Sequence, residues 1–312
     1  MIFDPETVLV LGAGASAPYG FPVGDQLKSQ IIDNISVING IPKQSNRKQF
    51  IEAGFSEDEI RDFQVDLVKS FPRTIDAFLE KRPDRRDIGA FAIAQALMPL
   101  EREEKLFQRT DWYPKLYQEL NLSDSGNIAN VTAIVTLNYD RSVEHYLRET
   151  VIRTYEGVNR DKALEKLATI QVIHVHGQLG QYPDMPYVQE RTTEDIKKGA
   201  QGVSIIHDQH LDSSEAFQAA ALHIANATDV LFLGCGYDKR TLKRLGVFSV
   251  RKRQKFYGTA HGLDEEWMEE VKNMFFERRI NLDDGRLLIE PYLDRFHKMK
   301  IQERQKKAQQ KS

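Results

Sequence analysis

Apolar residues recur along this chain in two rhythms, short β-branched runs and longer stretches with a helical period. The runs predict strands at Thr7–Leu11, Val131–Leu137, Ile170–Val175, Asp229–Leu233, Lys255–Thr259 and Arg286–Glu290. Continuous Val/Ile/Leu stretches of this length suit strands covered on both faces of a parallel sheet. The helical rhythm fills most of the intervals. Ser213 to Ala227 is the plainest case, an alanine-rich amphipathic run with Asp212 and Glu215 set for a capping box. Asp264 to Arg278 reads similarly, with Trp267, Val271, Met274 and Phe275 on one face. Strands alternating with helices predict an α/β fold, a Rossmann-like doubly wound parallel sheet of about six strands.

The first interval is too long for a single crossover helix. Between Asp25 and Asn130 lie helical patterns at Ile60–Phe71, Thr74–Lys81 and Ile88–Phe107. The expectation is a large inserted helical lobe over 25–128, with the sheet lobe formed by 1–24 plus 129–293. The remaining 294–312 is a basic tail, and from Arg295 it reads RFHKMKIQERQKKAQQKS. Its apolar periodicity ends at Met299 and Ile301, so a solvated, disordered end is expected.

Composition narrows the class without choosing a function. A length of 312 residues, 41% hydrophobic and 29% charged, describes an ordinary soluble globular protein with room for a substantial core. No apolar run approaches the roughly 18 residues of a membrane span, and the acidic start lacks the pattern of a signal peptide. A cytoplasmic location with no membrane partner is the expectation. The single Cys235 excludes an intrachain disulfide and a cysteine-rich zinc site. A net charge of −3 gives no global attraction to nucleic acid.

The candidate chemistry sits where the predicted strands end. Thr7–Leu11 runs into Gly12-Ala13-Gly14-Ala15-Ser16-Ala17, where side chains nearly vanish. Glycine permits a sharp turn and close approach to a ligand, and the N–H groups that follow suit a pyrophosphate. Gly12, Gly14 and Ala17 fit the G-x-G-x-x-A dinucleotide fingerprint, although packing alone also ends buried strands in small residues. Pro18, Gly20 and Pro22 then forbid a straight helix across Ala17 to Gly24, so an ordered loop is expected over the phosphate site.

Three further strand ends matter. Thr136-Leu137-Asn138-Tyr139-Asp140 puts an amide and a carboxylate at one tip, where ligands of open α/β sheets bind. Asp140 reads equally well as a cap for a helix starting near Arg141. His174-Val175-His176-Gly177 closes the third strand, and alternation places both histidines on one side. A metal reading would recruit His207 and His210, but no carboxylate stands at ligand spacing and no metal is expected. His176 suits a general base, since imidazole titrates at about pH 6.5, whereas His174 suits a hydrogen-bonded structural role. Leu233-Gly234-Cys235-Gly236-Tyr237-Asp238 again allows backbone to approach a ligand, as packing or a plain turn would also explain. Cys235 reads as a small buried residue rather than a nucleophile.

Together these stretches resemble the sirtuin family, over Leu9–Asp25, Thr136–Glu144, His174–Gly177 and Leu233–Asp238 and in the family's order. GAGAS with Gly20-Phe21-Pro22 is similar to the family's phosphate loop, TLNYD to its Thr-x-Asn-x-Asp segment, and HG to its catalytic histidine motif. The resemblance implies that Asn138, Asp140 and His176 carry the functions of the family's Asn, Asp and His. It implies NAD+ contacts from Gly12, Ala13, Gly14, Ala15, Ser16, Pro22 and Thr136, and from Gly234, Gly236 and Tyr237.

The departures are informative. Sirtuin deacylases follow Gly-Ile-Pro with Asp-Phe-Arg, whereas this chain has Val23-Gly24-Asp25. Their four-cysteine zinc ribbon cannot be built from one cysteine. With Thr74-Ile75-Asp76-Ala77-Phe78-Leu79, similar to a Ser-Ile-Asp segment, the chain resembles the sirtuin-like NAD-degrading effectors of bacterial antiphage defence, and Asp76 joins the NAD+ contacts. That resemblance implies hydrolysis of the nicotinamide–ribose bond to ADP-ribose and nicotinamide, with NAD+ as substrate and a helical lobe in place of the zinc module. Two rivals stay open, a sirtuin-type deacylase or ADP-ribosyltransferase and a non-catalytic NAD or ADP-ribose sensor. An enzyme that empties the NAD pool must be silent at rest, yet no sensor domain remains once both lobes are assigned. Activation is therefore expected from homo-oligomerisation or from a separately encoded sensor or nucleic-acid-dependent ATPase or helicase.

Overall fold

Every residue of Thr7–Leu11 (β1) is buried, as a β-branched run covered on both faces must be. In the computed structural model β1 lies inside a six-stranded sheet with Val131–Thr136 (β2), Gln171–His174 (β3), Asp229–Leu233 (β4), Lys255–Gly258 (β5) and Asn281–Leu282 (β6). The order is β3-β2-β1-β4-β5-β6, and every pair is parallel. This is the doubly wound Rossmann order, and the winding direction reverses between β1 and β4. The structure describes residues 3–4, 6–38, 41–42, 44–108, 111–120, 131–168, 170–204, 214–249, 254–275 and 280–309.

Register carries the next step. Leu11 pairs with Thr136 on one side and Leu233 on the other, and Thr136 pairs with His174. Four strands therefore end in one row, and the four motif-bearing turns leave the sheet from the same edge. That placement follows from backbone pairing alone.

Each face of the sheet carries its own core. Leu9 and Leu11 pack on one face with Ile134, Trp112, Leu147 and Phe296, whereas Val8 and Val10 pack on the other with Val175, Phe217 and Phe256. The long interval after β1 forms helices Gly24–Ile35, Gln44–Glu52, Glu57–Lys69, Ile75–Leu79, Arg86–Leu97, Glu103–Gln108 and Trp112–Leu120. They share the first core with the sheet. Arg86–Leu97 is buried from Ile88 to Leu97, so it is apolar all round and forms the centre of this helical layer.

Several sequence expectations need correction. The helix expected over Ile88–Phe107 is interrupted by a short 3-10 turn, Met98–Leu100, because Pro99 cannot continue the hydrogen-bond ladder. Glu101 there forms a buried ion triad with Arg141 at 2.5 Å and Arg191 at 2.6 Å. The expected strand Arg286–Glu290 is absent: the last strand is the short Asn281–Leu282, and Ile289 begins a helix running to Gln309. The tail from Arg295 is therefore helical through Gln309, not disordered. Tyr292, Leu293 and Phe296 anchor that helix, and Lys300 Nζ lies 2.6 Å from both Asp229 and Asp4. Helix Glu215–Asn226 is capped by Ser214, whose Oγ accepts from Phe217 N at 3.3 Å; Asp212, the expected cap, lies outside the described residues.

Candidate active site

The glycine turn after β1 leads into a one-turn helix, Ala13–Ser16, then a 3-10 turn, Ala17–Tyr19, and only then the helix from Gly24. Gly20 takes a φ of +95°, which lets the chain leave Tyr19 and reach Pro22. The loop is fastened from the helical layer. Trp112 Nε1 donates to Ala15 O at 2.8 Å, Tyr113 N donates to Tyr19 Oη at 2.9 Å, and the two tyrosine rings stack 4.0 Å apart. An ordered loop, expected from its prolines, is what stands here.

The glycines themselves serve packing. Gly12 N donates to Leu233 O and Gly14 N to Gly234 O, both at 2.9 Å. A Cβ on Gly12 would come within 2.5 Å of Gly234 O, and one on Gly234, at φ +65°, within 2.3 Å of Ala15 N. These three residues let the β1 and β4 turns press backbone against backbone. Their N–H groups are consequently spent, so the NAD+ contacts implied for Gly12 and Gly14 cannot run through these donors. Half-buried Ala13 lies between them. Gly236 differs, because a Cβ there would meet open space.

Asn138 ties the β2 tip to that turn. Its Nδ2 donates to Gly12 O at 2.9 Å and to Ser16 Oγ at 3.0 Å, while its own N–H donates to Thr136 Oγ1 at 3.1 Å. A carbonyl only accepts, so these bonds settle which end of the amide is NH2. Among the described residues Oδ1 of Asn138 has no partner and stays available to a ligand or water. Thr136 and Ser16 therefore act as supports for Asn138.

Asp140 is buried on the far side of Ser16. Its carboxylate accepts from Ser142 Oγ and from Ser142 N at 3.2 Å, and Ser142 Oγ in turn meets Tyr113 Oη at 2.7 Å. The helix that follows, Ser142–Thr154, has Arg141 at its N-cap position, so Asp140 holds the turn rather than capping the helix. Burial raises its pKa above the ordinary carboxylate value, against the lowering hydrogen bonds from Ser142 and Ser16.

The two histidines part company. β3 ends at His174, alternation stops there, and Gly177 turns the chain at φ +77°. His174 is buried, with Nδ1 2.9 Å from Asn138 O and Nε2 2.5 Å from Glu144 Oε1. Burial opposes its charge, but the Glu144 carboxylate and these hydrogen bonds prevail and raise its pKa. His176 goes to the opposite face, its ring edge-on to Phe217 at 5.6 Å. Among the described residues neither of its ring nitrogens has a hydrogen-bond partner. Burial lowers its pKa, and Asp76, Arg244, Asp238 and Glu80 are the charges that act on it. Asp76 and Glu80 belong to the helical layer, Asp238 to the β4 turn and Arg244 to the helix Lys239–Arg244 that follows it.

The helical layer reaches this place through Ile75–Leu79. Asp76 accepts a hydrogen bond from Tyr139 Oη, and Glu80 pairs with Arg240 at 2.5 Å and Arg244 at 3.8 Å, both on the helix Lys239–Arg244 after the β4 turn. Sequence spacing gave no hint of Glu144, Glu80, Arg240 or Trp112, because each meets its partner only through the fold. Tyr237 needs correction as a ligand contact. Its φ of +58° goes with a ring turned into the core, where Oη donates to Thr259 O at 2.8 Å, so the side chain is engaged within the protein. Cys235 is buried with its thiol pushed up to about 12 by burial, the state of an inert small residue. Among the described residues no three His, Cys, Asp or Glu side chains cluster as metal ligands; His207 and His210 lie outside them. No helix among the described residues is long and apolar enough to cross a membrane.

No curated protein matches the sequence. Residues 132–261 match the family model described as a SIR2-like domain, which takes in most of β2 and all of β3, β4 and β5 with the turns bearing Asn138, His176 and Gly234. Over this stretch the sequence is similar to a SIR2-like domain, of a family that uses NAD+.

Proposed function

We propose that this protein is an NAD+ glycohydrolase that breaks the bond between nicotinamide and ribose and releases ADP-ribose. The observation that carries the reading is Asn138, buried and locked by two hydrogen bonds to the β1 turn with its Oδ1 free. It stands at the sheet edge where open α/β folds take their ligands. The open space at Gly236 and the half-buried Ala13 fit a dinucleotide laid along that edge.

Breaking this bond asks little of an acid, since nicotinamide leaves as a neutral molecule from a cationic ring. The demand is to stabilise positive charge at the ribose carbon and to deliver water there. Asn138 Oδ1 would hold a ribose hydroxyl or the water. His176 would take the proton as the oxygen–carbon bond forms and the carbon–nitrogen bond breaks. Burial keeps its imidazole neutral and ready to accept, and general-base help is typically worth about 10²–10⁴ in rate. Asp140, linked to Asn138 through Ser16, would keep the amide in place. With water as the acceptor the product is free ADP-ribose, whereas a deacylase would give an acylated ADP-ribose.

The role of an NAD-depleting antiphage effector, switched on by self-assembly or a separate partner, belongs to the same proposal. Incubating the purified protein with NAD+ and resolving the products by chromatography tests it. Equal amounts of nicotinamide and ADP-ribose are expected. Tight NAD+ binding without nicotinamide release, both alone and in the assembled state, would overturn the hydrolase in favour of a sensor.

A further inference from the structure

His174, buried at the tip of β3, has an oxygen acceptor at each ring nitrogen. Nδ1 lies 2.9 Å from the main-chain carbonyl of Asn138, and Nε2 lies 2.5 Å from Glu144 Oε1. A carbonyl and a carboxylate only accept, and a neutral imidazole has a single N–H to give. With one proton on the ring, one of the two contacts would set a nitrogen lone pair against an oxygen lone pair inside the protein, which is costly. An N–H on each nitrogen satisfies both. The contacts therefore call for the imidazolium, with the Glu144 carboxylate as its counter-charge.

What the second proton holds is Asn138. The main-chain N–H of Asn138 donates to Thr136 Oγ1 at 3.1 Å, and its side-chain NH2 donates to Gly12 O at 2.9 Å and Ser16 Oγ at 3.0 Å. His174 Nδ1 holds the main-chain carbonyl. Both main-chain groups and the NH2 end are then fixed, and the place of Oδ1 follows from them. The charged and titratable groups around the ring come from several elements. Glu144 stands on the helix Ser142–Thr154 and Asp140 in the β2 turn, while Arg148 and Tyr182 line the same cavity as His174. Arg148 stacks 4.7 Å over the Tyr182 ring and donates to Glu149 Oε1 at 2.9 Å. Burial opposes the charge on His174, Glu144 and Asp140 favour it, and the balance raises its pKa above the ordinary 6.5.

We propose that His174 is a positioning residue for Asn138, a buried imidazolium that holds the Asn138 carbonyl with one N–H and Glu144 with the other. What Asn138 does from that position rests on the hydrolase reading above; the second proton is a property of the folded chain. Once the ring gives up a proton, the carboxylate, as the charged acceptor, keeps the N–H that remains. Nδ1 then turns a lone pair on the Asn138 carbonyl, and the amide loses its hold. NAD+ cleavage should therefore fall on the alkaline side as His174 deprotonates, whereas His176 sets the acidic side. The charges of the imidazolium and Glu144 cancel, so the pair fixes the amide without opposing positive charge at the ribose carbon.

The test reads the ring directly, by NMR of the full chain labelled with nitrogen-15 in its histidines, with His174→Leu assigning the signal. Where an ordinary imidazole is half neutral, at about pH 6.5, His174 should still carry a proton on both ring nitrogens. A singly protonated ring there overturns the proposal. Glu144→Gln is the decisive variant. Its amide NH2 donates to Nε2, so a neutral ring keeps its N–H on the Asn138 carbonyl at every pH. In that variant the alkaline fall in NAD+ cleavage should vanish. His174→Leu, with no donor, should lose kcat by roughly 10–10²-fold with little change in KM. Thermal melts confirm that both variants fold. An alkaline fall that persists unchanged in Glu144→Gln, or a parental kcat in folded His174→Leu, overturns the positioning role. A parent chain that releases no nicotinamide fails the hydrolase reading instead. The hold on Asn138 is then read from the carbon-13 shift of its main-chain carbonyl, which should move with pH in the parent and stay fixed in Glu144→Gln. A shift that does not move in the parent overturns the proposal.

Discussion

The side-chain amide of Asn138 donates to the main-chain carbonyl of Gly12 at 2.9 Å, joining two residues separated by 126 positions. A second bond to Ser16 Oγ makes the amide a staple between the β2 tip and the turn after β1. Asn138→Ala leaves the Gly12 carbonyl without this donor. It is expected to lower stability by about 1–3 kcal/mol and to remove NAD+ cleavage. Asn138→Asp should be worse for stability at neutral pH, because a carboxylate would face a carbonyl oxygen. Chemical denaturation and nicotinamide release measure the two effects, and full turnover in Asn138→Ala would remove the residue from the mechanism.

His176 should set the acidic limb of the rate profile. As a base it must be unprotonated, and burial puts its pKa below the ordinary 6.5. Activity should therefore hold as pH falls through 6.5 and fail only at more acidic values, set by the lowered pKa. His176→Ala should lose about 10²–10⁴ in rate with little change in the melting temperature. A limb at or above the ordinary histidine value would count against His176 as the base.

His174 predicts the opposite trend, in stability. Its folded pKa is raised above 6.5, so its contribution is complete below that value and is lost as pH rises through the raised pKa. The parent chain should thus lose more stability between about pH 6 and pH 9 than His174→Gln does. Urea titrations at several pH values supply the comparison; parallel curves would mean that the Glu144 pair contributes no pH-dependent stability.

Two glycines on one turn should behave differently. Gly234→Ala meets Ala15 N at 2.3 Å and a φ of +65°, and is expected to destabilise the fold by about 3 kcal/mol or more. Gly236→Ala meets nothing within 4 Å and should leave stability nearly unchanged while weakening NAD+ binding. Melting temperatures and NAD+ titrations of both variants decide this, and unchanged affinity in Gly236→Ala would exclude close ligand approach there.

Lys300→Met should cost about 3–5 kcal/mol, because it strands the buried Asp229 carboxylate beside Asp4. Limited proteolysis should then release the end of the Ile289–Gln309 helix, which the parent chain protects. Equal protection in both would assign the anchoring to Tyr292 and Phe296 alone.

The strands at Thr7–Leu11 and Asp229–Leu233 were legible to the residue, because a strand buried on both faces has no freedom to be polar. The sixth was misplaced onto Arg286–Glu290, since a two-residue strand such as Asn281–Leu282 leaves no periodicity to read. The basic tail looked unstructured for a related reason. Its anchor is Lys300, a charge that reads as solvated until Asp229 and Asp4 stand on either side of it.

Local sequence was sufficient to show where strands stop and where small residues, an amide and an imidazole follow them, because apolar runs and glycine turns are short-range properties. Parallel pairing then decided that Leu11, Thr136, His174 and Leu233 end in one row, which no single stretch contains. Tertiary packing alone decided that Gly12 and Gly14 lean on Gly234, that Tyr237 turns inward, and that His174 and His176 face opposite ways. The physical reason is that a side chain's partner is set by which backbone passes beside it, and that is a property of the whole fold.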